Sequence, residues 1–214
     1  MCRQLWRRMT PWRLPALFAG LPVLVWALGD HAQRTLLKTS LSLVTLAAFG
    51  LMLGLFWLSR LHQPALKRYG APGLLAWHKG IGYAVAAVVL LHPLLVVLPR
   101  FFEAGVEPLE ALAVILQNFA RPGVLAGILA WIFCLLLGAM SLLRRHLGLN
   151  GHRWRDLHGC LAGLASTAAT WHVINLGRHS DLRMKVLLLL AALGGLALLV
   201  NNTFRQAPVF RRRA

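Results

Sequence analysis

The chain has 214 residues, of which 58% are hydrophobic and only 14% charged, and its formal net charge is +17. That is too apolar for an ordinary soluble domain and places the chain among integral membrane proteins. The positive charge sits beside apolar runs, so juxtamembrane placement accounts for it and a nucleic-acid partner is not needed.

A transmembrane helix needs about 20 mostly apolar residues. After a basic N-terminal segment (1–13), six stretches answer to that length, near 14–29, 39–59, 73–98, 122–143, 156–177 and 184–201, and a basic tail (202–214) follows. The expected fold is an all-α, integral membrane six-helix bundle over 14–201, with no soluble domain. The first stretch also has the look of a secretory signal, but its length favours a retained helix. Pro72 and Gly73 break the chain before the third stretch, Pro99 closes it, and Arg121-Pro122 opens the fourth. Within the long connection 100–121, EPLEALAVILQNF has the spacing of a short surface helix. GLNGHRW, residues 148–154, reads as a turn into the fifth stretch.

Basic residues favour cytoplasmic loops, and acids count for little in that rule. Arg3, Arg7, Arg8 and Arg13 precede the first stretch. Arg60, Lys67, Arg68 and Lys79 lie around the second connection, Arg144, Arg145, Arg153 and Arg155 around the fourth, and Arg205, Arg211, Arg212 and Arg213 in the tail. These make sixteen of the 23 Lys and Arg, while five of the six acids fall on the other side. Both ends are therefore expected in the cytoplasm, in a bacterial inner membrane.

The third and fifth stretches share a pattern. WHKGIGYAVAAVVLLHP carries His78 and His92, and LHGCLAGLASTAATWHV carries His158 and His172, each pair fourteen residues apart. Fourteen helical residues advance about 21 Å and return to within about 40° of the same face. Both stretches run in the same direction, so His78 and His158 share an inner level while His92 and His172 share an outer one. Ionisable groups inside a bilayer are costly and point to function. Zinc sites gather about four ligands at one point, whereas two imidazoles at each of two levels match axial ligation of haem iron. The expected cofactors are two haem b groups, held by His78/His158 inside and His92/His172 outside. Small residues between the ligands, Ala162, Ala165 and Ala169 on one face and Gly82 on the other, leave space for a broad plate, although they also permit plain helix packing.

The remaining histidines, His31, His62, His146, His152 and His179, fall in connections or near helix ends. Arg178 and His179 lie just beyond the outer level, and Lys79, Arg153 and Arg155 beside the inner one, where they could meet a substrate or propionates. Cys2, Cys134 and Cys160 form no metal motif or disulfide framework.

On these residues the chain resembles the ferric reductase-like transmembrane domain shared by ferric reductases and NADPH oxidases. The likeness rests on the six-helix plan, on WHKGIGYAVAAVVLLHP and on HRWRDLHGCLAGLASTAATWH, and it spans about residues 35–200. RWRDLH is also similar to the related MsrQ group, the haem-binding subunit of a methionine-sulfoxide reductase system, although that group typically lacks a histidine at the place of His78. The resemblance implies transmembrane electron transfer by an oxidoreductase membrane subunit. Because the chain stops at Ala214 without a flavin or nicotinamide domain, the donor is expected to be a separate flavin reductase or quinol on the cytoplasmic side. Acceptors on the outer face would be a ferric chelate, oxygen or a periplasmic redox partner such as a methionine-sulfoxide reductase. Two other readings stay open at this point: a quinone-linked diheme cytochrome b using the same ligands, and a haem-free small transporter or assembly protein.

Overall fold

The computed structural model describes residues 12–29, 35–102, 107–177 and 181–210, and every regular element among them is helical. In chain order these are α1 (Arg13–Ala27), α2 (Leu36–Gly54), α3 (Gln63–Tyr69), α4 (Ala71–Val97), a 3-10 turn (Leu98–Phe102), α5 (Pro108–Gln117), α6 (Pro122–Leu143), α7 (Gly151–Leu176) and α8 (Leu182–Phe210). Most of the two basic ends, together with His31, Arg178 and His179, lies outside the described residues.

The helix starts follow from local chemistry. Thr35 Oγ1 accepts the Lys38 amide at the head of α2, and Asn150 Oδ1 accepts the Arg153 amide at 2.9 Å at the head of α7. Asp181 Oδ1 accepts the Met184 amide in the same way for α8. Each cap satisfies a donor with no intrahelical partner. Proline fills the first turn of α3, α4 and α6, where its missing N–H costs nothing. Gly70, at φ 75°, joins α3 directly to α4 in a conformation that side chains resist. The chain expected as a loop before the third stretch thus contains a two-turn helix. Within the connection 100–121, α5 occupies Pro108–Gln117 and packs on the 3-10 turn and α4.

The six expected membrane stretches coincide in position with α1, α2, α4, α6, α7 and α8, but they are not equivalent. Four are both long and apolar enough to cross a bilayer: Leu36–Gly54, Ala71–Val97, Pro122–Leu143 and Leu182–Asn201. At 15 residues, α1 is shorter than the length of about 20 a straight crossing uses. In contrast, α7 has ample length at 26 residues, but His152, Arg153, Arg155, Asp156, His158, Ser166, Thr167, Thr170 and His172 lower its apolar content. Its polar positions are partly interior: Ser166 and Thr170 are buried, and Thr170 Oγ1 donates to the Ser166 carbonyl. The helix also begins at Gly151, a full turn earlier than the expected 156, because Asn150 caps it. Asp156 therefore stands inside the helix, in its second turn.

Neighbouring helices close into a ring, α1–α2–α4–α6–α7–α8 and back to α1, with α2 also touching α8. The tightest seam is α6 on α7. Small residues allow the close approaches. A Cβ on Gly50 would strike the Phe18 carbonyl of α1, and Gly194 and Gly195 of α8 receive the Trp57 and Phe56 rings that follow α2. The core is built from Phe49, Met52 and Leu53 of α2, Val85 of α4, Cys134 of α6, Ala165 of α7, and Met184, Leu188 and Ala192 of α8. Leu91, Leu94, Leu129, Leu136, Leu190 and Leu193 point outward and stay exposed. An outer coat of leucine over helices whose backbones are internally bonded is what a hydrocarbon solvent demands. The molecule is an integral membrane helical bundle.

Candidate functional site

Within the ring, α4 and α7 are separated by α6, and their backbones do not pack against one another as α6 and α7 do. Their histidines nonetheless meet. His78 and His158 have ring centroids 6.2 Å apart with planes at 61°, and His92 and His172 have centroids 6.3 Å apart at 82°. Val85 and Ala165 are buried between the two levels, with Val89 and Ala169 packed on the same cluster. The core thus forms an apolar partition, and a histidine pair stands on either side of it.

The separation is informative because it recurs. Among the described residues no hydrogen bond joins the two rings of either pair; His78 and His172 bond to backbone carbonyls instead. They are too distant for direct bonding, yet matched to within 0.1 Å. A metal–imidazole bond is about 2 Å long and the ring centre lies about 1 Å behind the nitrogen, so two rings on opposite sides of one metal have centres about 6 Å apart. Both pairs show that spacing.

Second, the ring nitrogens are set for it. His172 Nδ1–H donates to the Gly123 carbonyl at 2.8 Å, and His78 Nδ1–H donates to the Leu55 carbonyl at 3.2 Å. Leu55 is the C-cap of α2, so its carbonyl is among those a helix end leaves unpaired. Donation from Nδ1 selects the tautomer whose Nε2 carries a free lone pair, the usual arrangement for a metal-binding histidine. His92 Nδ1 and His158 Nδ1 are buried without a partner among the described residues. Each pair therefore has one ring tethered to backbone and one held by packing alone.

Several neighbours of the site were not evident from sequence. A Cβ on Gly127 of α6 would lie 2.5 Å from His172 Nδ1 and 2.7 Å from its Cε1, so only glycine leaves the ring where it is. With Gly123 one turn earlier, it forms a GxxxG step of the kind that brings membrane helices close. Trp131 Nε1 donates to the Leu90 carbonyl at 3.0 Å, fastening α6 to α4 two residues before His92. On the inner level, the Trp154 indole stacks on the His158 ring, centroids 5.5 Å apart and planes at 24°, and the Arg144 guanidinium lies 5.0 Å over the indole. Gly82, one turn beyond His78, faces open space in which an added Cβ would meet nothing within 4 Å.

The secondary candidates divide. Lys79, Arg153 and Arg155 are exposed, and Arg155 Nη2 donates to His152 Nδ1 at 2.9 Å. His146 and His152 are exposed, whereas His62, expected in a connection, is half-buried ahead of α3, and its Nδ1 has no partner among the described residues. Cys134 is buried and Cys160 exposed. Among the described residues no three of His, Cys, Asp and Glu converge, so each level offers a donor set of two imidazoles.

Fold and site together are those of a helical membrane bundle with an imidazole pair on each side of an apolar partition. Residues 44–174 match the ferric reductase-like transmembrane component family, a span that includes all four histidines, and the chain belongs to that family. Members generally hold haem and work with redox partners. An uncharacterized protein of the archaeon Archaeoglobus fulgidus is 34% identical over 159 residues, covering 74% of this chain and 86% of that protein. No solved structure matches the chain.

Proposed function

We propose that this chain carries electrons across a membrane, from a cytoplasmic-side donor to an acceptor on the outer face, with one haem b held by His78 and His158 and a second by His92 and His172. The six helices α1, α2, α4, α6, α7 and α8 all cross the bilayer in this reading, with Ser166 and Thr170 of α7 turned inward and its Leu157, Leu164 and Trp171 outward. The charge distribution supports an orientation with the His78/His158 level and both chain ends toward the cytoplasm.

One observation carries the reading: two imidazole pairs at different depths, each with centroids 6.2–6.3 Å apart and no bond between the rings. The carbonyls of Leu55 and Gly123 orient one ring of each pair through the Nδ1–H they accept. Haem, when bound, supplies the one-electron chemistry, and the protein supplies position and electrostatics. If haem is held by two imidazoles of this chain at each level, its iron would offer no free position to oxygen or another small ligand. Exchange with donor and acceptor is then outer-sphere, which is compatible with a ferric chelate, oxygen or a redox protein outside and with a flavin reductase or quinol inside.

The test uses proteoliposomes that enclose an impermeant ferric chelate, with reduced flavin or quinol supplied outside. Chain-dependent reduction of the enclosed iron is expected, and His172→Ala should abolish it. Equal rates for His172→Ala and the unaltered chain would refute the proposal, and the better donor would separate the flavin from the quinol route.

A further inference from the structure

The tethering of the four rings is uneven. His78 and His172 are fixed through Nδ1 to carbonyls, but the Nδ1 of His158 is buried with no partner among the described residues. A metal-binding imidazole ordinarily owes its orientation to a partner on its second nitrogen. At His158 the adjoining group is aromatic: Trp154, four residues earlier on the same face of α7, stacks on it at 24°. Trp154 is in turn covered by Arg144, at the end of α6, whose guanidinium lies 5.0 Å over the indole. The three groups form a continuous pile from an exposed cation, through a half-buried indole, to the inner ring.

We infer that Trp154 and Arg144 are positioning residues for the inner redox centre, the indole setting the plane of His158 and the guanidinium raising the reduction potential of the group His158 binds. The physical basis has two parts. Arg over an indole face is a favourable cation–π contact, and a planar guanidinium stacks where an ammonium does not. A fixed positive charge disfavours the oxidised, more positive state of a nearby centre, and bilayer surroundings weaken the screening that water would provide. Among the described residues no equivalent pile stands on His172, which has its carbonyl tether, so the effect is assigned to the inner level. Arg144 does this besides contributing to membrane orientation, which any cation in that connection would serve.

This inference rests on the proposed haem reading, and the experiment distinguishes their failures. Purified protein is titrated electrochemically while its optical and EPR signals are recorded, for the unaltered chain and for Arg144→Gln, Arg145→Gln, Trp154→Leu and Trp154→Phe. Arg144→Gln should move one of two midpoints to more negative potential and leave the other in place. At the potential where that centre is half reduced in the unaltered chain, it should become mostly oxidised. Arg145→Gln, which removes an equal charge from the neighbouring position, should shift it less. Trp154→Leu should alter the EPR signal of that same centre, and Trp154→Phe should largely restore it. Two haems with midpoints that ignore Arg144→Gln, or that respond equally to Arg145→Gln, would overturn this inference alone. An absence of haem from the unaltered chain would overturn both.

Discussion

Replacing Gly127 by alanine tests whether the outer pair is held as tightly as the geometry requires. The new Cβ would stand 2.5 Å from His172 Nδ1. Carbon contacts settle near 3.5 Å, so ring and helix must separate by roughly 1 Å. Moving the ring that far would stretch its 2.8 Å bond to the Gly123 carbonyl past the useful limit of about 3.5 Å. Holding the bond instead would force α6 off α7 along their closest seam. Overpacking of this kind costs about 1–3 kcal/mol. If that cost falls on the occupied outer site, affinity drops about 5- to 150-fold. The assay is optical transfer of haem to excess apomyoglobin. One of two haems should leave faster in Gly127→Ala, and the other should keep its unaltered rate. Gly138→Ala, on the same helix with nothing within 4 Å of the added carbon, is the control. Equal haem loss from the two variants would refute the claim that Gly127 fixes His172.

Other outcomes follow from the same pairing. His78→Ala and His92→Ala should each leave about one haem per chain, and the double variant should leave none; pyridine haemochrome measurement reads this directly. The two low-spin ferric signals should differ in EPR, because the outer rings stand at 82° and the inner at 61°. Nearly perpendicular imidazoles give the more anisotropic signal, so His172→Ala should remove that signal and His158→Ala the other. The reverse assignment would show that the ring planes change on haem binding.

Much of this was legible in the sequence, for identifiable reasons. Spans of twenty apolar residues announce themselves, and Pro122 and Leu143 mark the ends of α6 where composition put them. The fourteen-residue interval paired His78 with His158 and His92 with His172 by depth, as the structure arranges them, because helical rise converts spacing directly into height. The tethers were invisible. A carbonyl of Leu55 or Gly123 has no side-chain signature, and Gly127 is one of 19 glycines until its neighbour is known. Trp154 was missed for a different reason. Asn150-Gly151 reads as a turn, so the indole was assigned to a connection, whereas the Asn150 cap starts α7 early enough to set Trp154 one turn before His158. The six equal spans also simplified matters. With its polar residues and its histidines, α7 is less apolar than a lipid-facing helix, and α1 is short.

The most direct test is the reduced-minus-oxidised absorption spectrum of the detergent-purified chain, made in cells well supplied with haem and paired with a haem-to-protein ratio. Sharp b-type bands and about two haems per chain are expected. A colourless protein, or a ratio near two that survives loss of all four histidines, would contradict the account.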